Sequence, residues 1–409
     1  MFSSFQNYPA DPIFSLYPRY QQDHRPHKVN LSIGLYYDTT GELPLLSSVR
    51  EALWLIYDTP RPSSYLPMSG HADYCHAVQS LLFGPDHPML VAGNLSTIQS
   101  LGGTGALRVG AEILKRRFPN SEVWVSEPTW ENQVAIFKAT GFDVHRYPYY
   151  DSRSHSVDFE SLVACLKTLA PQSIVVFHPC CHNPTGADLS SEQWDEITAI
   201  AKAGRLIPFF DFAYQGFGSG IDEDAYVIRA MANQRVHCLV ANSFSKNFAL
   251  DGERCGSLTF VCATPKEAVL AHAEMVHTVR ASYSNPPAHG ASIIAKVLHK
   301  PKLAANWRAD VEQMRLRVQS MRSELAQSLE RRNAGNHYQH LLQTQGMFGV
   351  TGLSSHQVKA LQDEFAIYLV DTGRLCFAGL NPGNIELVAD ALSHFSTYGD
   401  LAGGTDFDE

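Results

Sequence analysis

The chain has 409 residues, 44% of them hydrophobic and 18% charged, with 28 Gly and 22 Pro spread along it. Roughly two or three domains with a sizeable core follow from that length, and the composition excludes a disordered or collagen-like chain. Thirty-two basic against 41 acidic residues leave a formal charge of -9, which opposes attraction to nucleic acid or anionic lipid, so neither is expected as a partner. No stretch approaches roughly 18 consecutive apolar residues, and MFSSFQNYPADPIF lacks the basic and apolar segments of a secretion signal. A cytoplasmic location is expected. The eight Cys form no spaced framework and read as reduced.

In chain order, the first 45 residues are turn-rich, with YPADP, a strand-like KVNLSIGLYY and TTGELP, and read as an arm and entry segment. From about 90 to 262, short apolar runs alternate with helical stretches: SEVWVSE, FDVHRYPY, SIVVFHP, LIPFFDF, VHCLVANS and GSLTFVC. This is the pattern of a mostly parallel sheet covered by helices, an α/β class. Residues 104–118 place Leu107, Ala111, Leu114 and Phe118 on one helical stripe, with Thr104 expected as cap and Gly102–Thr104 as entry loop. Val311, Met314, Val318, Met321, Leu325 and Leu329 predict a second long helix, which could leave the large domain and start a smaller one. MFGVTGL, FAIYLV, LCFAGL and IELVADALSHF predict a compact α+β lobe. The expected organisation is an arm and part of the small domain over 1–45, a large α/β domain over 46–312 and a small domain over 313–409 drawing on both chain ends.

Three strand ends and one glycine loop carry the chemistry. VHCLVANSFSKNF ends in Ser243, Ser245 and Lys246, and loops at the carboxyl ends of strands line the ligand crevice of an open α/β sheet. Lys246 there can act as a phosphate-binding cation or as an amine nucleophile toward a carbonyl group; a surface lysine after a strand is the plain alternative. LIPFFDF ends in Asp211, with Tyr214 three residues on, and a carboxylate at that depth needs a cationic partner unless it only caps a turn. In SIVVFHPCCHNPTG, His178, Cys180, Cys181 and His182 invite a metal reading, but adjacent Cys on extended chain point to opposite faces and no second C-x-x-C exists. No metal is expected. Asn183 before Pro184 predicts a fixed turn holding an amide into the crevice. Gly102–Gly103–Thr104 before a helix can cradle an anion, although small glycine loops are common. Neither a Walker loop, a G-x-G-x-x-G fingerprint nor a G-x-S-x-G elbow is present. Arg254, eight residues after Lys246, can reach the same anion or serve as an ordinary ion-pair partner. Together these groups describe one ligand with a phosphate, an electrophilic carbon, a phenolic oxygen and a basic ring nitrogen, and pyridoxal 5′-phosphate has all four.

GGTGALR, PTWENQ, HPCCHNPTGADL, DFAYQGFG, NSFSKNF, GERCG, YSNPPAHGA and TGRLCFAGLN, with VNLSIGLYY and YLPMSGH, make the sequence resemble the fold-type-I, class-I aminotransferases over about residues 5 to 395, within their aspartate and aromatic-amino-acid branch. The resemblance implies that Lys246 bonds the cofactor and shuttles the substrate proton, Asp211 pairs with the protonated ring nitrogen, and Asn183 and Tyr214 hold the phenolic oxygen. It further implies that Gly103, Thr104, Ser243, Ser245 and Arg254 bind the phosphate, and that Trp130 stacks on the ring. Arg374 would clamp the α-carboxylate and Arg280 a side-chain carboxylate, in bidentate fashion, with Gly34 and Trp130 also at the substrate. Tyr65, Arg280 and Asn285 would come from the neighbouring subunit of a homodimer with shared active sites. Leu16, Ile33 and Tyr36 are lid candidates, with plain packing as the simpler role.

The implied activity is reversible ping-pong transfer of the amino group of phenylalanine or tyrosine, and also of aspartate or glutamate, to the 2-oxo acids 2-oxoglutarate or oxaloacetate. The alternatives are a narrow dicarboxylate enzyme and, more distantly, a noncatalytic regulator on the same fold. Two positions depart from the family: Gln133 stands where a histidine is usual, and Asp251 where a tyrosine is usual. A carboxylate near a phosphate is unfavourable unless Arg254 or another cation offsets it, so Asp251 is expected to turn away.

Overall fold

The computed structural model describes residues 5, 11, 13, 15–58 and 64–396. Most of YPADP and everything after residue 396 lie outside the described residues. The chain divides into two compact units, one within Pro44–Leu316 and the other combining Met1–Leu43 with Arg317–Glu409.

The first unit is built on seven strands: β1 (Leu95–Leu101), β2 (Val123–Glu127), β3 (Val144–Pro148), β4 (Ile174–Phe177), β5 (Ile207–Phe212), β6 (Cys238–Ser243) and β7 (Cys255–Val261). Their order is β1-β7-β6-β5-β4-β2-β3. Neighbours from β6 through β3 are parallel, while β7 runs antiparallel to both β6 and β1. All six apolar runs in the sequence are strands of this sheet. The central strands β4, β5 and β6 are apolar because helices bury both their faces, as parallel sheets require.

β1 was not visible in the hydrophobic pattern, since its interior reads Ser96, Thr97, Ile98, Gln99 and Ser100. It is nonetheless buried because its polar groups are matched. Thr97 Oγ1 lies 2.8 Å from Thr259 Oγ1, and Gln99 Nε2 donates to the Pro287 carbonyl at 2.7 Å while its Oε1 accepts from His71 N at 3.0 Å. Polar residues satisfied in this way fit an interior that an apolar-run search passes over.

Helix α1 (Gly102–Arg117) begins directly at the end of β1, with Leu107, Ala111 and Leu114 buried against the sheet. Thr104 does not cap it: the helix starts two residues earlier than its stripe indicates, and Leu101 occupies the cap without a side-chain hydrogen bond. Gly103 therefore lies in the first turn of the helix rather than in a loop, and Gly102 opens that turn with a positive φ. Helix α2 (Glu131–Ala139) follows β2, and α3 (Pro265–Ser282) follows β7. Helix α4 (Pro301–Arg331) carries Val311, Met314, Val318, Met321, Leu325 and Leu329, all buried. The division between the units falls within it, after Leu316.

In the second unit, Val29–Asn30 pairs in parallel with Ile367–Tyr368, and Phe348–Val350 pairs antiparallel with Arg374–Cys376. The strand-like KVNLSIGLYY is thus strand over only two residues, because Asn30 Oδ1 accepts from both Ser32 N and Ser32 Oγ and turns the chain. Ile385–Ser396 forms the last helix. Among the described residues, no helix is long and apolar enough to cross a membrane.

The Gln99 bridge predicts the effect of its loss. Gln99→Leu strands the His71 amide and the Pro287 carbonyl, and is expected to destabilise by about 2–4 kcal/mol, read as a lower urea midpoint at unchanged slope.

Candidate active site

β5 and β6 are parallel neighbours with Asp211 opposite Ala241 and Phe212 opposite Asn242, so both end on the same edge. Asp211 is the last residue but one of β5; Ser243 closes β6 and is followed by Ser245 and Lys246. The chain after β4 supplies His178, His182 and Asn183, the chain after β2 supplies Thr129, Trp130 and Gln133, and β1 delivers the start of α1. Sequence-remote groups therefore gather at the carboxyl edge of one sheet.

An anion cup forms where α1 meets β7. Gly102 donates its N–H to the Arg254 carbonyl at 3.0 Å, and its φ of +67° is left-handed backbone that glycine adopts at no steric cost. A Cβ on Gly102 would lie 2.7 Å from Arg254 Nη2, and one on Gly256 would lie 2.4 Å from the Gly102 carbonyl carbon. The two glycines thus let backbone cross backbone. Around this crossing, Ser243 Oγ lies 3.3 Å from Ser245 Oγ, and Arg254 Nη1 lies 3.5 Å from Ser245 Oγ. A Cβ on Gly103 would touch Ser243 Cβ at 3.3 Å, which places the first turn of α1, including Thr104, beside these hydroxyls. Helix amides, two hydroxyls and a guanidinium are a donor set for a phosphate.

Asp211 is only 4% exposed. Burial pushes its carboxyl up to about 6, opposed by a hydrogen bond from Gln133 and by the Lys246 charge. Gln133 Nε2 donates to Asp211 Oδ2 at 2.7 Å, and the Gln133 Oε1 accepts from Thr129 Oγ1 at 2.7 Å. Gln133 Nε2 also lies 3.0 Å from His178 Nε2. A carboxylate has no proton to give, so the atom facing Asp211 is the amide nitrogen, and its second hydrogen makes His178 Nε2 an acceptor. His178 is neutral by this logic, and burial independently pushes its imidazole down to about 4. Its 3.9 Å approach to Asp211 is therefore not an ion pair. His182 is held between Ser126 Oγ and Thr185 Oγ1, each at 2.8 Å, and stacks on Tyr149 with ring centroids 4.0 Å apart.

Lys246 Nζ donates to Asp251 Oδ1 at 3.0 Å. This corrects the expectation that Asp251 turns away: with a lysine ammonium in reach, the carboxylate faces into the site. Asn183 is buried and its bond to Pro184 is cis. The preceding loop is fixed by Asp188, whose carboxylate accepts from Cys181 N at 2.7 Å and His182 N at 2.8 Å.

Cys181 has a φ of +53°, so Cys180 and Cys181 do not point to opposite faces. Both thiols approach the Tyr214 carbonyl, at 3.7 and 4.0 Å. They also gather with Asp224, but that carboxylate accepts backbone N–H groups from Gly216, Gly218 and Ser219 at 2.8, 3.0 and 2.8 Å. Burial pushes the Cys180 thiol far up. A committed carboxylate and a thiol held protonated at Cys180 make a poor metal set.

Trp130, at the start of α2, packs half-buried against the sheet core. The remaining candidates stand apart from this cluster. Tyr65 is 92% exposed, and Arg280 is exposed with its Nη1 donating to Ser284 Oγ at 2.7 Å. Among the described residues, neither joins the hydrogen bonds of Lys246, Asp251 and Arg254. In the second unit, buried Arg374 donates to the Ser32 carbonyl at 2.6 Å, and its guanidinium lies 4.3 Å over the Phe348 ring. A Cβ on Gly34 would meet Phe348 Cζ at 2.6 Å, so Gly34 and Arg374 share this ring. Tyr36 is buried with the Arg317 guanidinium 5.4 Å from its centroid, and Leu16 packs with Tyr368 and Val370; both serve as packing. Thr129 and Asp188 are site-supporting residues that sequence reasoning did not single out, although they lie inside PTWENQ and HPCCHNPTGADL.

Residues 26–392 match the family model Aminotransferase class I and II. The chain is 51% identical over 394 residues to an aromatic-amino-acid aminotransferase of Escherichia coli, covering 96% of this chain and 99% of that one. It is 42% identical to an aspartate aminotransferase of Pseudomonas aeruginosa, covering 96% and 98%. The crystal structure of an aromatic-amino-acid aminotransferase from Burkholderia pseudomallei covalently bound to pyridoxal phosphate matches with a TM-score of 0.94 at 43% identity, covering 96% and 99%.

The burial of Asp211 generates a prediction for the ligand-free chain. Its carboxyl is raised from 3.8 to about 6, so the stability it allows is full below the unfolded value and is lost as pH rises through the folded one. Asp211→Asn escapes that loss. It is expected to be more stable than the natural chain at pH 7 by up to roughly 3 kcal/mol, with the two thermal unfolding curves converging below about pH 4.

Proposed function

Because the chain belongs to the class I and II aminotransferases, we propose that it transfers the amino group of phenylalanine or tyrosine, and of aspartate or glutamate, to 2-oxoglutarate or oxaloacetate with pyridoxal 5′-phosphate. The reading rests chiefly on one observation: the buried Asp211 carboxylate and the Lys246 amine stand at the carboxyl ends of two adjacent parallel strands, beside an anion cup. The residues present fit that cofactor. A phosphate suits the donors of the cup, and Asp211, raised by burial, calls for a positive partner such as a protonated ring nitrogen.

When bound, the cofactor supplies an electrophilic carbon and a ring that accepts charge from the substrate Cα. Lys246 holds it through its amine and, once released, moves the proton at Cα. Asp211 keeps a proton on the ring nitrogen, with Gln133 holding the carboxylate in place through a neutral hydrogen bond. Asn183 and Tyr214 hold the phenolic oxygen, and Trp130 covers the ring. Gly103, Thr104, Ser243, Ser245 and Arg254 receive the phosphate. Arg374 takes the substrate carboxylate in a bidentate fork, oriented by Ser32 and the Phe348 ring, with Gly34 leaving room.

The working form is a homodimer in which Tyr65, Arg280 and Asn285 of a second copy complete each pocket. The exposure of Tyr65 and Arg280 on the single chain, and of Trp54, Tyr57, Val269 and Leu270, supports this. Arg280 receives a side-chain carboxylate and yields its space to an aromatic ring. The location is the cytoplasm, in keeping with eight free cysteines.

The direct test is the absorption spectrum of the cofactor-loaded protein before and after phenylalanine or aspartate is added without a 2-oxo acid. Both donors are expected to convert the band to that of the aminated cofactor; no conversion by either would refute the reading, and conversion by aspartate alone would leave a narrow dicarboxylate enzyme. Lys246→Ala is expected to lose turnover by about 10⁴-fold at an unchanged circular dichroism spectrum, and full turnover would remove Lys246 from its role.

A further inference from the structure

Lys246 has two carboxylates within electrostatic reach and hydrogen-bonds to the one that the family resemblance does not lead one to expect. Its charge acts on Asp211, yet its Nζ lies 3.0 Å from Asp251 Oδ1. Lys246 and Asp251 side chains are 21% and 27% exposed, so solvent screens the pair less than one on the open surface.

Asp251 is also held from behind. Arg254 Nη1 donates to its backbone carbonyl at 2.8 Å. The chain between the partners is closed by Ala249 N to Lys246 O at 3.1 Å and Leu250 N to Ser245 O at 3.0 Å, with Ala249 at a φ of +51°. The next acid along, Glu253, is engaged elsewhere, with His289 Nδ1 at 3.0 Å. The carboxylate is thus a fixed part of the turn that carries the lysine.

We propose that Asp251 is a positioning residue that docks the free Lys246 amine as an ion pair and thereby slows cofactor loading. The inference rests on the reading of Lys246 as the amine that bonds the cofactor. An ammonium is not a nucleophile. To bond an aldehyde, Lys246 must leave Asp251 and give its extra proton to solvent; the carbon–nitrogen double bond then forms with loss of one water. The same docking recurs whenever the amine is set free. A neutral phenol at this position would make no such pair.

The experiment uses the full chain freed of cofactor, in its natural form and as Asp251→Asn, Asp251→Glu and Asp251→Tyr. Each is mixed with pyridoxal phosphate or with pyridoxal, which lacks the phosphate, at low and high salt, and capture is followed by absorbance. In parallel, acetylation of Lys246 by acetic anhydride is timed by peptide mass spectrometry. Asp251→Asn and Asp251→Tyr are expected to capture both aldehydes, and to be acetylated, about two- to fivefold faster. Asp251→Glu should stay near the natural rate, and salt should narrow the gap. Acceleration confined to pyridoxal phosphate would overturn the inference, because it would reduce Asp251 to repulsion of the phosphate; unchanged acetylation would overturn it equally. Failure of every form to bond either aldehyde would instead refute the functional reading, while the acetylation rates would still judge the ion pair.

Discussion

Everything in the pocket answers to a carboxylate set into the apolar middle of a sheet. Asp211 lies near the end of a strand, beside Phe209, Phe210 and Phe212, and burial alone drives it toward the neutral acid. An anion survives there only if donors and positive charge are brought to it. Gln133 supplies the donor and Lys246 the charge, from segments far apart in sequence. The remaining desolvation is a standing demand for a cationic partner, and this makes the edge of the sheet a binding site rather than a structural end.

The amide of Gln133, at a position where the family resemblance leads one to expect a histidine, is informative in this light. A histidine at Gln133 could carry a charge of its own, whereas an amide has two hydrogens and spends them on Asp211 and His178. The price is loss of any proton exchange along that chain, and the return is a donor arrangement that does not change with pH. The carboxylate is thus supported by geometry, with the imidazoles behind it neutral.

Much of this was legible in the sequence, and the parts that were not have two causes. The six apolar strands, the α4 stripe and the strand-end positions of Asp211 and Lys246 followed from runs and periods, which report burial by apolar side chains. β1 escaped because its burial is carried by Thr97 and Gln99, whose partners lie more than a hundred residues away or on loops. The start of α1 was displaced because glycines, not a capping threonine, open it. Asp251 was expected to turn away unless a cation offset it, and the residue types alone did not show that Lys246, five residues earlier, would be that cation. Cys181 was misjudged because adjacent side chains diverge only on extended backbone. For β1 the deciding contacts were tertiary, and for the other three they lay in local backbone geometry that residue patterns do not report.

The crossing of Gly102 over Gly256 places a constraint of another sort on this protein. Side chains around the cup can be exchanged one at a time, but here two stretches of main chain touch with no atom to spare. Laboratory evolution aimed at new phosphorylated ligands would find its freedom in the hydroxyls and the guanidinium, and would find this crossing closed to all twenty letters but one.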